Sequence, residues 1–451
     1  MRKKVGFVCF GEINTPYERL VMQHDHGLKV LSALDADFLD AGLVIDDVKY
    51  ETADAAIEKL SGYDMCCLVV CVAGWIPAHA VIRVTDVFRN TPMLLWGLCG
   101  WKENGRIVTT SNQAGTSGLR GAFEDMGYRF KYVYNVIDQP DPVEKLFSFI
   151  NASYSAKRLR TAHIGTMGYR DMLLYSTQFE GNSLRARLGI EVEPFEMLEI
   201  VQNVESLDPE KIKEGVRYVR ENWRIVNECE DSIIEKGVKY ALAVGKKIEE
   251  RGYEAISLVD VDGMKKLLGF PPAMVFMLLE HYYGVETTPE NDIMGSITQL
   301  MMRFATGQTI PYMEYYEYFQ NSMLLGVPDY VPAAVTDGEV TTMRTAFGLL
   351  SASLLNVSKV KPGYVTCARL LYKKGKYVMH MYTGEAKAPP AWAEYGWEEP
   401  VPQLPSLEVF PDSCTVEEFA QKVCSQHVIL CYGDQSETMR DLCALLGIEV
   451  I

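Results

Sequence analysis

Short, almost uniformly apolar runs alternate with segments of helical periodicity in the first third of the chain. Val5–Phe10, Met65–Val72 and Met93–Trp96 have the composition of strands that are buried on both faces of a parallel sheet. Between the first two of these runs, Tyr17–Ala33 repeats apolar residues at the spacing of one helix face. Strands that alternate with helices predict a doubly wound parallel sheet. We expect this first α/β domain to span residues 1–158.

The same alternation continues after Arg160 and predicts a second doubly wound domain over residues 159–312. Ala162–Gly165 and Ile256–Val259 are predicted strands within it. A helix is predicted over Ile293–Phe304, with Asp292 as its N-cap.

The last part of the chain has a different pattern. From about residue 338, the apolar runs are short, have β character and are punctuated by glycine and proline, as in Tyr364–Leu371, Tyr377–Tyr382 and Val428–Tyr432. Such runs favour a small antiparallel sheet or barrel. The predicted fold class is therefore α/β, with two doubly wound parallel-sheet domains followed by a β-rich, small barrel-like C-terminal domain over residues 313–451.

Composition and charge exclude several classes of function. The net charge of -16 argues against nucleic acid and anionic membranes as partners, because both require clusters of Lys and Arg. No apolar run reaches the roughly 18 residues that a membrane helix needs, and the apolar stretch after Met1–Lys4 is too short for a signal peptide. The eleven cysteines include no CxxC pair, so we expect reduced thiols and a cytoplasmic protein.

Two glutamates and one histidine form the strongest candidate for chemistry. Glu290 precedes the predicted helix, which travels roughly 18 Å. The extended segment Thr309–Met313 then covers most of the return before Glu314. If that segment is the next strand of the same sheet, both glutamates lie at its carboxyl edge, where α/β sheets build their sites. With His427, they would suit Mg²⁺ or Mn²⁺, although each residue alone is equally consistent with a surface charge or a structural side chain.

Two segments around the candidate residues contain distinctive motifs. Thr287–Phe319 has a Glu-Asn-Asp, a Gly in the following helix, a Thr-Gly and a second carboxylate, and Ser425–Asp434 has a histidine, an apolar strand and Gly-Asp. In these motifs the chain resembles the L-fucose isomerase and L-arabinose isomerase superfamily of aldose–ketose isomerases. Two departures are evident. The second carboxylate is a glutamate, as in arabinose isomerases, but their second histidine ligand has no counterpart between Glu314 and His380.

The resemblance implies a site and a reaction. Glu290, Glu314 and His427 would be the metal ligands, and the two glutamates would also be the catalytic acid/base pair. The cofactor would be a divalent metal, with Mn²⁺ first and Mg²⁺ or Co²⁺ possible. The substrate would be a pentose, a 6-deoxyhexose or a 6-substituted hexose, including a sulfonated one, isomerised through a cis-enediol. The family also implies a homo-oligomer, a trimer or hexamer, in which a neighbour's first domain completes the pocket.

Two further residues are candidates for contact with a sugar. Asp262 follows the predicted strand Ile256–Val259, and Trp392 lies in a proline-rich loop, where its ring could stack on a sugar face. Either residue is also compatible with a plain loop anchor. Two other functions remain open at this point: a metal-dependent epimerase or lyase that uses the same enediol chemistry, and a non-catalytic cytosolic sugar-binding protein.

Overall fold

The computed structural model describes residues 2–327, 331–344, 353–390 and 404–451. The chain divides into two compact units. The first comprises Met1–Lys157 with Glu437–Leu445, and the second comprises Arg158–Ser436 with Leu446–Ile451. The three domain ranges expected from the sequence stay a prediction.

The first unit is built on a five-stranded, all-parallel sheet with the order β2-β1-β3-β4-β7 and a separate hairpin, β5–β6. The strands are β1 (Lys4–Phe10), β2 (Asp37–Val44), β3 (Cys67–Val72), β4 (Met93–Gly97), β5 (Trp101–Glu103), β6 (Arg106–Val108) and β7 (Phe130–Tyr134). The connecting helices are α1 (Tyr17–Ser32), α2 (Glu51–Leu60), α3 (Ala78–Val87), α4 (Asn112–Asp125) and α5 (Val143–Leu159). Every residue of β3 and β4 is buried, as their uniform apolar sequences predict.

The second unit contains a four-stranded parallel sheet with the order β12-β11-β8-β9. Its strands are β8 (His163–Met167), β9 (Glu191–Phe195), β11 (Ala255–Leu258) and β12 (Glu286–Thr288). The short strand β10 (Arg224–Ile225) belongs to a different sheet. The helices of this region are α6 (Gly181–Leu188), α7 (Met197–Val204), α8 (Pro209–Asn222), α9 (Asp231–Arg251), α10 (Ala273–Tyr283) and α11 (Ile293–Thr306). Residues of α9 and α10 pack with β11 in one apolar core.

The same unit also contains a closed, six-stranded antiparallel barrel with the order β17-β20-β13-β14-β19-β18, closed by the β17–β18 pair. The remaining strands, six of them in the barrel, are β13 (Tyr312–Tyr318), β14 (Met323–Gly326), β15 (Thr341–Arg344), β16 (Leu354–Asn356), β17 (Gly363–Lys373), β18 (Lys376–Lys387), β19 (Ser406–Pro411), β20 (His427–Tyr432) and β21 (Glu449–Val450). The last helices are α12 (Val416–Ala420) and α13 (Ser436–Leu446), most of which belongs to the first unit. Strands β10, β15 and β16 form a small separate sheet, and β21 adds to β18. The predicted fold class is confirmed.

One expectation about topology is wrong. The segment after α11 was expected to return to the parallel sheet and bring Glu314 to its carboxyl edge. Instead β13 is the first strand of the barrel, where it pairs antiparallel with β14 and β20. Its hydrogen-bonding partners come from later in the chain, and local periodicity carries no information about them. Among the described residues, no helix combines the length and apolar content needed to cross a bilayer.

Candidate metal centre

Glu290 lies in the tight loop between β12 and α11, at the carboxyl edge of the parallel sheet. Glu290 and Asn291 both adopt left-handed backbone conformations, with φ of 61° and 52°, which cost about 1–3 kcal/mol each for such residues. Neighbouring loops hold this geometry. The Glu290 N–H donates to Asp260 Oδ1 at 2.7 Å, and Asn291 Nδ2 donates to Thr166 Oγ1 and to the Met167 carbonyl at 2.9 and 2.8 Å. The ends of three adjacent strands therefore fix the direction of the Glu290 side chain.

Glu314 and His427 come from the barrel. They are directly opposite each other in the register of β13 and β20. Because side chains of residues paired across antiparallel strands point to the same face of a sheet, this register brings the carboxylate and the imidazole together. A slip of one residue would move one of them to the opposite face.

The three side chains converge on one point. His427 Nε2 lies 3.0 Å from Glu290 Oε2 and 3.1 Å from Glu314 Oε1. One potential ligand atom from each residue lies within 4.8 Å of the others, as a shared metal ion requires. His427 is completely buried, whereas the Glu290 and Glu314 side chains are 11% and 24% exposed. Two carboxylate oxygens and one imidazole nitrogen are donors that suit a hard or borderline divalent cation.

Asp292 contacts the second ring nitrogen of His427. Its side chain is completely buried, and its Oδ2 lies 2.8 Å from His427 Nδ1. Arg369 binds both of its oxygens, at 2.5 and 2.7 Å, and the Tyr312 hydroxyl donates to Oδ2 at 2.9 Å. Its Oδ1 also accepts from the Gly295 N–H at 2.9 Å, which confirms Asp292 as the N-cap of α11. The site thus contains a third carboxylate whose acceptor positions are already occupied.

The electrostatics of the site follow from burial and close charges. Burial opposes the charged form of Asp292, but the Arg369 guanidinium and His427 outweigh it and hold the pKa of Asp292 well below its usual range. Burial would lower the pKa of His427, but hydrogen bonds to Asp292, Glu290 and Glu314 outweigh it and raise that pKa well above its usual value. Such carboxylates attract positive charge, and a bound cation would take the place of the Nε2 proton.

Arg369 and Tyr312 were not predicted from the sequence. Arg369 is 3% exposed and lies in the middle of the apolar strand β17. A buried arginine requires an ionic partner, so its presence in the run Tyr364–Leu371 was a usable signal. Nothing in the sequence, however, identifies Asp292 as that partner, because 77 residues separate the two.

The two residues expected to contact a sugar have different outcomes. Asp262 is partly exposed and anchors a loop: its Oδ2 accepts from the Met172 N–H at 2.8 Å, and its Oδ1 accepts from Lys266 Nζ at 2.6 Å. A role for Asp262 in substrate binding stays a prediction. Trp392 lies outside the described residues.

Comparison with curated proteins finds similarity to one kind of enzyme. The chain is similar to two sulfoquinovose isomerases, from Priestia aryabhattai and Priestia megaterium. It is 22% identical to each over 389 residues, which cover 82% of this chain and 81% of each relative. No family model matches the chain.

Solved structures give only weak likenesses. A transporter solute-binding protein from Burkholderia multivorans is 11% identical, covers 68% of this chain and 95% of its own, and has a TM-score of 0.18. Another, from Agrobacterium vitis and bound with α-D-tagatopyranose, is 11% identical, covers 73% of this chain and 92% of its own, and has a TM-score of 0.17. At these TM-scores, the likeness indicates neither a shared overall fold nor a function.

Proposed function

We propose that this protein is a metal-dependent aldose–ketose isomerase whose substrate is a hexose substituted at C6. The convergence of Glu290, Glu314 and His427 carries the proposal. The similarity to sulfoquinovose isomerases over 82% of the chain supports the reaction class and favours a sulfonated hexose over a pentose or a 6-deoxyhexose. The subtype resembling fucose and arabinose isomerases rests on the sequence motifs alone.

Charge balance supports a divalent metal ion. Arg369 neutralises Asp292 through two hydrogen bonds. Glu290 and Glu314 then place two carboxylates beside a histidine that is neutral when it binds a metal. These carboxylates would attract a dication, and the oxygen-rich donor set suits Mn²⁺ first, with Mg²⁺ or Co²⁺ compatible.

The residues of the site fit the proton transfers of an isomerisation. A bound ion would supply a Lewis acid that acidifies the proton on C2 of the open-chain sugar. One glutamate takes that proton, and the other moves the hydroxyl proton, which gives a cis-enediol that collapses to the ketose. Glu290 and Glu314 are partly exposed and His427 is buried. The sugar therefore approaches from the side of the carboxylates, which can reach its protons.

The test is proton NMR in D₂O, with metal-stripped protein and a panel of aldoses that includes sulfoquinovose, with and without Mn²⁺ and with the ion removed before recording. Metal-dependent formation of a ketose, with deuterium at the adjacent carbon, is the expected result. Formation of an epimer would replace the isomerase by an epimerase. Metal-independent binding without conversion would replace it by a sugar-binding protein.

A variant pair tests the catalytic assignment. Glu290→Gln keeps the size of the side chain but cannot accept a proton, so turnover should fall about 10²–10⁴-fold. The control is Glu317→Gln, since Glu317 is an exposed glutamate on β13. Near wild-type turnover of the Glu290 variant would refute the assignment.

Three further properties are part of the proposal. Asp262 and Trp392 would contact the sugar, and substitution of either by alanine should raise KM more than it lowers kcat. The family resemblance supports a trimer or hexamer, which sedimentation would detect. The amino-acid composition supports a cytoplasmic location.

A further inference from the structure

We propose that Asp292, with Arg369 as its charge partner, is a positioning residue for the metal centre: it holds His427 in the tautomer that carries hydrogen on Nδ1 and presents Nε2 to the metal. This inference rests on the proposed metal dependence. It assigns to Asp292 a role other than that of a fourth ligand.

The contacts of Asp292 exclude ligation in this geometry. One oxygen, Oδ2, receives three donors, from His427, Arg369 and Tyr312, and the other, Oδ1, receives two, from Arg369 and Gly295. A carboxylate has about four lone-pair positions, so no acceptor position is left for an ion. The carboxylate is also completely buried, on the far side of the imidazole from Glu290 and Glu314.

The same contacts fix the imidazole. An ionised carboxylate can only accept a hydrogen bond, so the 2.8 Å contact with Nδ1 requires the hydrogen to lie on that nitrogen. Nε2, which faces Glu290 and Glu314, is then the nitrogen available to a metal. Carboxylates that receive the second N–H of a ligating histidine fix its ring and raise its basicity.

Arg369 keeps Asp292 in this role. Its two hydrogen bonds match the planar guanidinium to the carboxylate, and its NH2 group also donates to the Ser176 carbonyl at 2.9 Å. The arginine thereby holds the carboxylate in place. Without it, the buried Asp292 would lose its cationic partner beside the metal-binding histidine.

The test measures Mn²⁺ affinity directly, from the electron paramagnetic resonance signal of free Mn²⁺. Asp292→Asn keeps the shape and an N-cap acceptor for α11 but loses the charge, and the affinity should fall about 10–100-fold. The control is Glu317→Gln, which removes one carboxylate charge from an exposed position on β13, the strand that carries Glu314. Its affinity should stay within about threefold of wild type.

A double variant separates positioning from stability. Asp292→Asn leaves Arg369 buried without its partner, so its thermal midpoint should fall. Adding Arg369→Met removes that buried charge and should restore the midpoint, but the low Mn²⁺ affinity should persist. If affinity returns together with stability, Asp292 is only structural and the proposal is overturned.

Nitrogen NMR gives a readout that is independent of affinity. In ¹⁵N-labelled, Zn²⁺-loaded protein, His427 should show a protonated Nδ1 and a metal-bound Nε2, assigned by comparison with His427→Gln among the 7 histidines. The Asp292→Asn protein should lose the single protonated Nδ1 state, and an unchanged signal would contradict the inference. A wild-type protein that binds no Mn²⁺ would overturn the proposed metal dependence and this role with it, whereas equal binding by wild type and Asp292→Asn would overturn this role alone.

Discussion

Glu286 should make the free energy of unfolding depend on pH. It lies in β12, four residues before Glu290, and is 2% exposed. Its Oε1 accepts from Arg303 NH1 at 3.0 Å, and its Oε2 is buried with no hydrogen-bond partner among the described residues. Burial, with Glu280 adding to it, raises the pKa of Glu286 from 4.5 to about 8. Arg303 opposes this shift incompletely, since its side chain is 36% exposed.

The sign and size of the effect follow from linkage. Between the unfolded pKa of 4.5 and the folded pKa of about 8, the folded protein binds more protons at this site than the unfolded chain. Stability should therefore fall as the pH rises through this window. At about 1.36 kcal/mol per pKa unit, the full penalty above the folded pKa is on the order of 5 kcal/mol, and relaxation around the charged group would reduce it.

The assay compares Glu286→Gln with wild type in urea unfolding at about pH 5 and about pH 9. Glutamine stays neutral, so the free energy of unfolding of the variant, relative to that of wild type, should increase by on the order of 2–5 kcal/mol from the lower pH to the higher pH. At the lower pH, its new amide donors should cost about 1–3 kcal/mol, because Oε2 has no partner in the wild type. The exposed Glu221→Gln is the matched control. A difference between variant and wild type that is constant with pH would refute the reasoning.

Two further predictions concern the loop and helix that carry the site. Asn291→Ala should destabilise the protein by about 2–4 kcal/mol, since it loses two buried hydrogen bonds and keeps a strained φ of 52°. Asn291→Gly should lower the thermal midpoint less, because glycine relieves the strain. Equal losses of stability in the two variants would contradict this prediction. Gly295→Ala should weaken Mn²⁺ binding without touching a ligand, since its Cβ would lie 2.8 Å from Asp292 Oδ2 and 2.9 Å from Arg369 NH1. The control is Gly118→Ala on α4, whose Cβ would meet nothing within 4 Å, and this variant should gain about 0.5–1 kcal/mol of stability. Unchanged metal affinity in the Gly295→Ala variant would contradict the predicted crowding.

The elements that local pattern specifies were predictable. Uniform apolar runs identified β1, β3 and β4, because strands buried on both faces allow few polar residues. Asp292 was recognised as a helix N-cap, and its side chain does accept from the Gly295 N–H. These features depend on neighbours within a few residues, so the local sequence is enough to predict them.

The features that depend on distant pairing were not predictable. The closure of the barrel requires β13 to pair with β20, which joins Glu314 to a histidine 113 residues later. Local periodicity gives the faces of a strand but not its neighbour, so the route proposed for Glu314 was wrong even though the three residues do meet. The ion pair of Arg369 and Asp292 depends on the same barrel and was missed for the same reason.

The position of the candidate metal centre at the junction of two sheets has a physical consequence. Glu290 is held by a strained loop on the parallel sheet, and Glu314 and His427 are held by strand register in the barrel. Each part fixes its own candidate ligands with hydrogen bonds that do not involve an ion, so most of the ordering entropy would be lost on folding rather than on metal binding. Asp292 connects the two parts, since it caps α11 and bonds His427 of β20. Disruption of that connection should therefore affect metal affinity more than it affects either sheet.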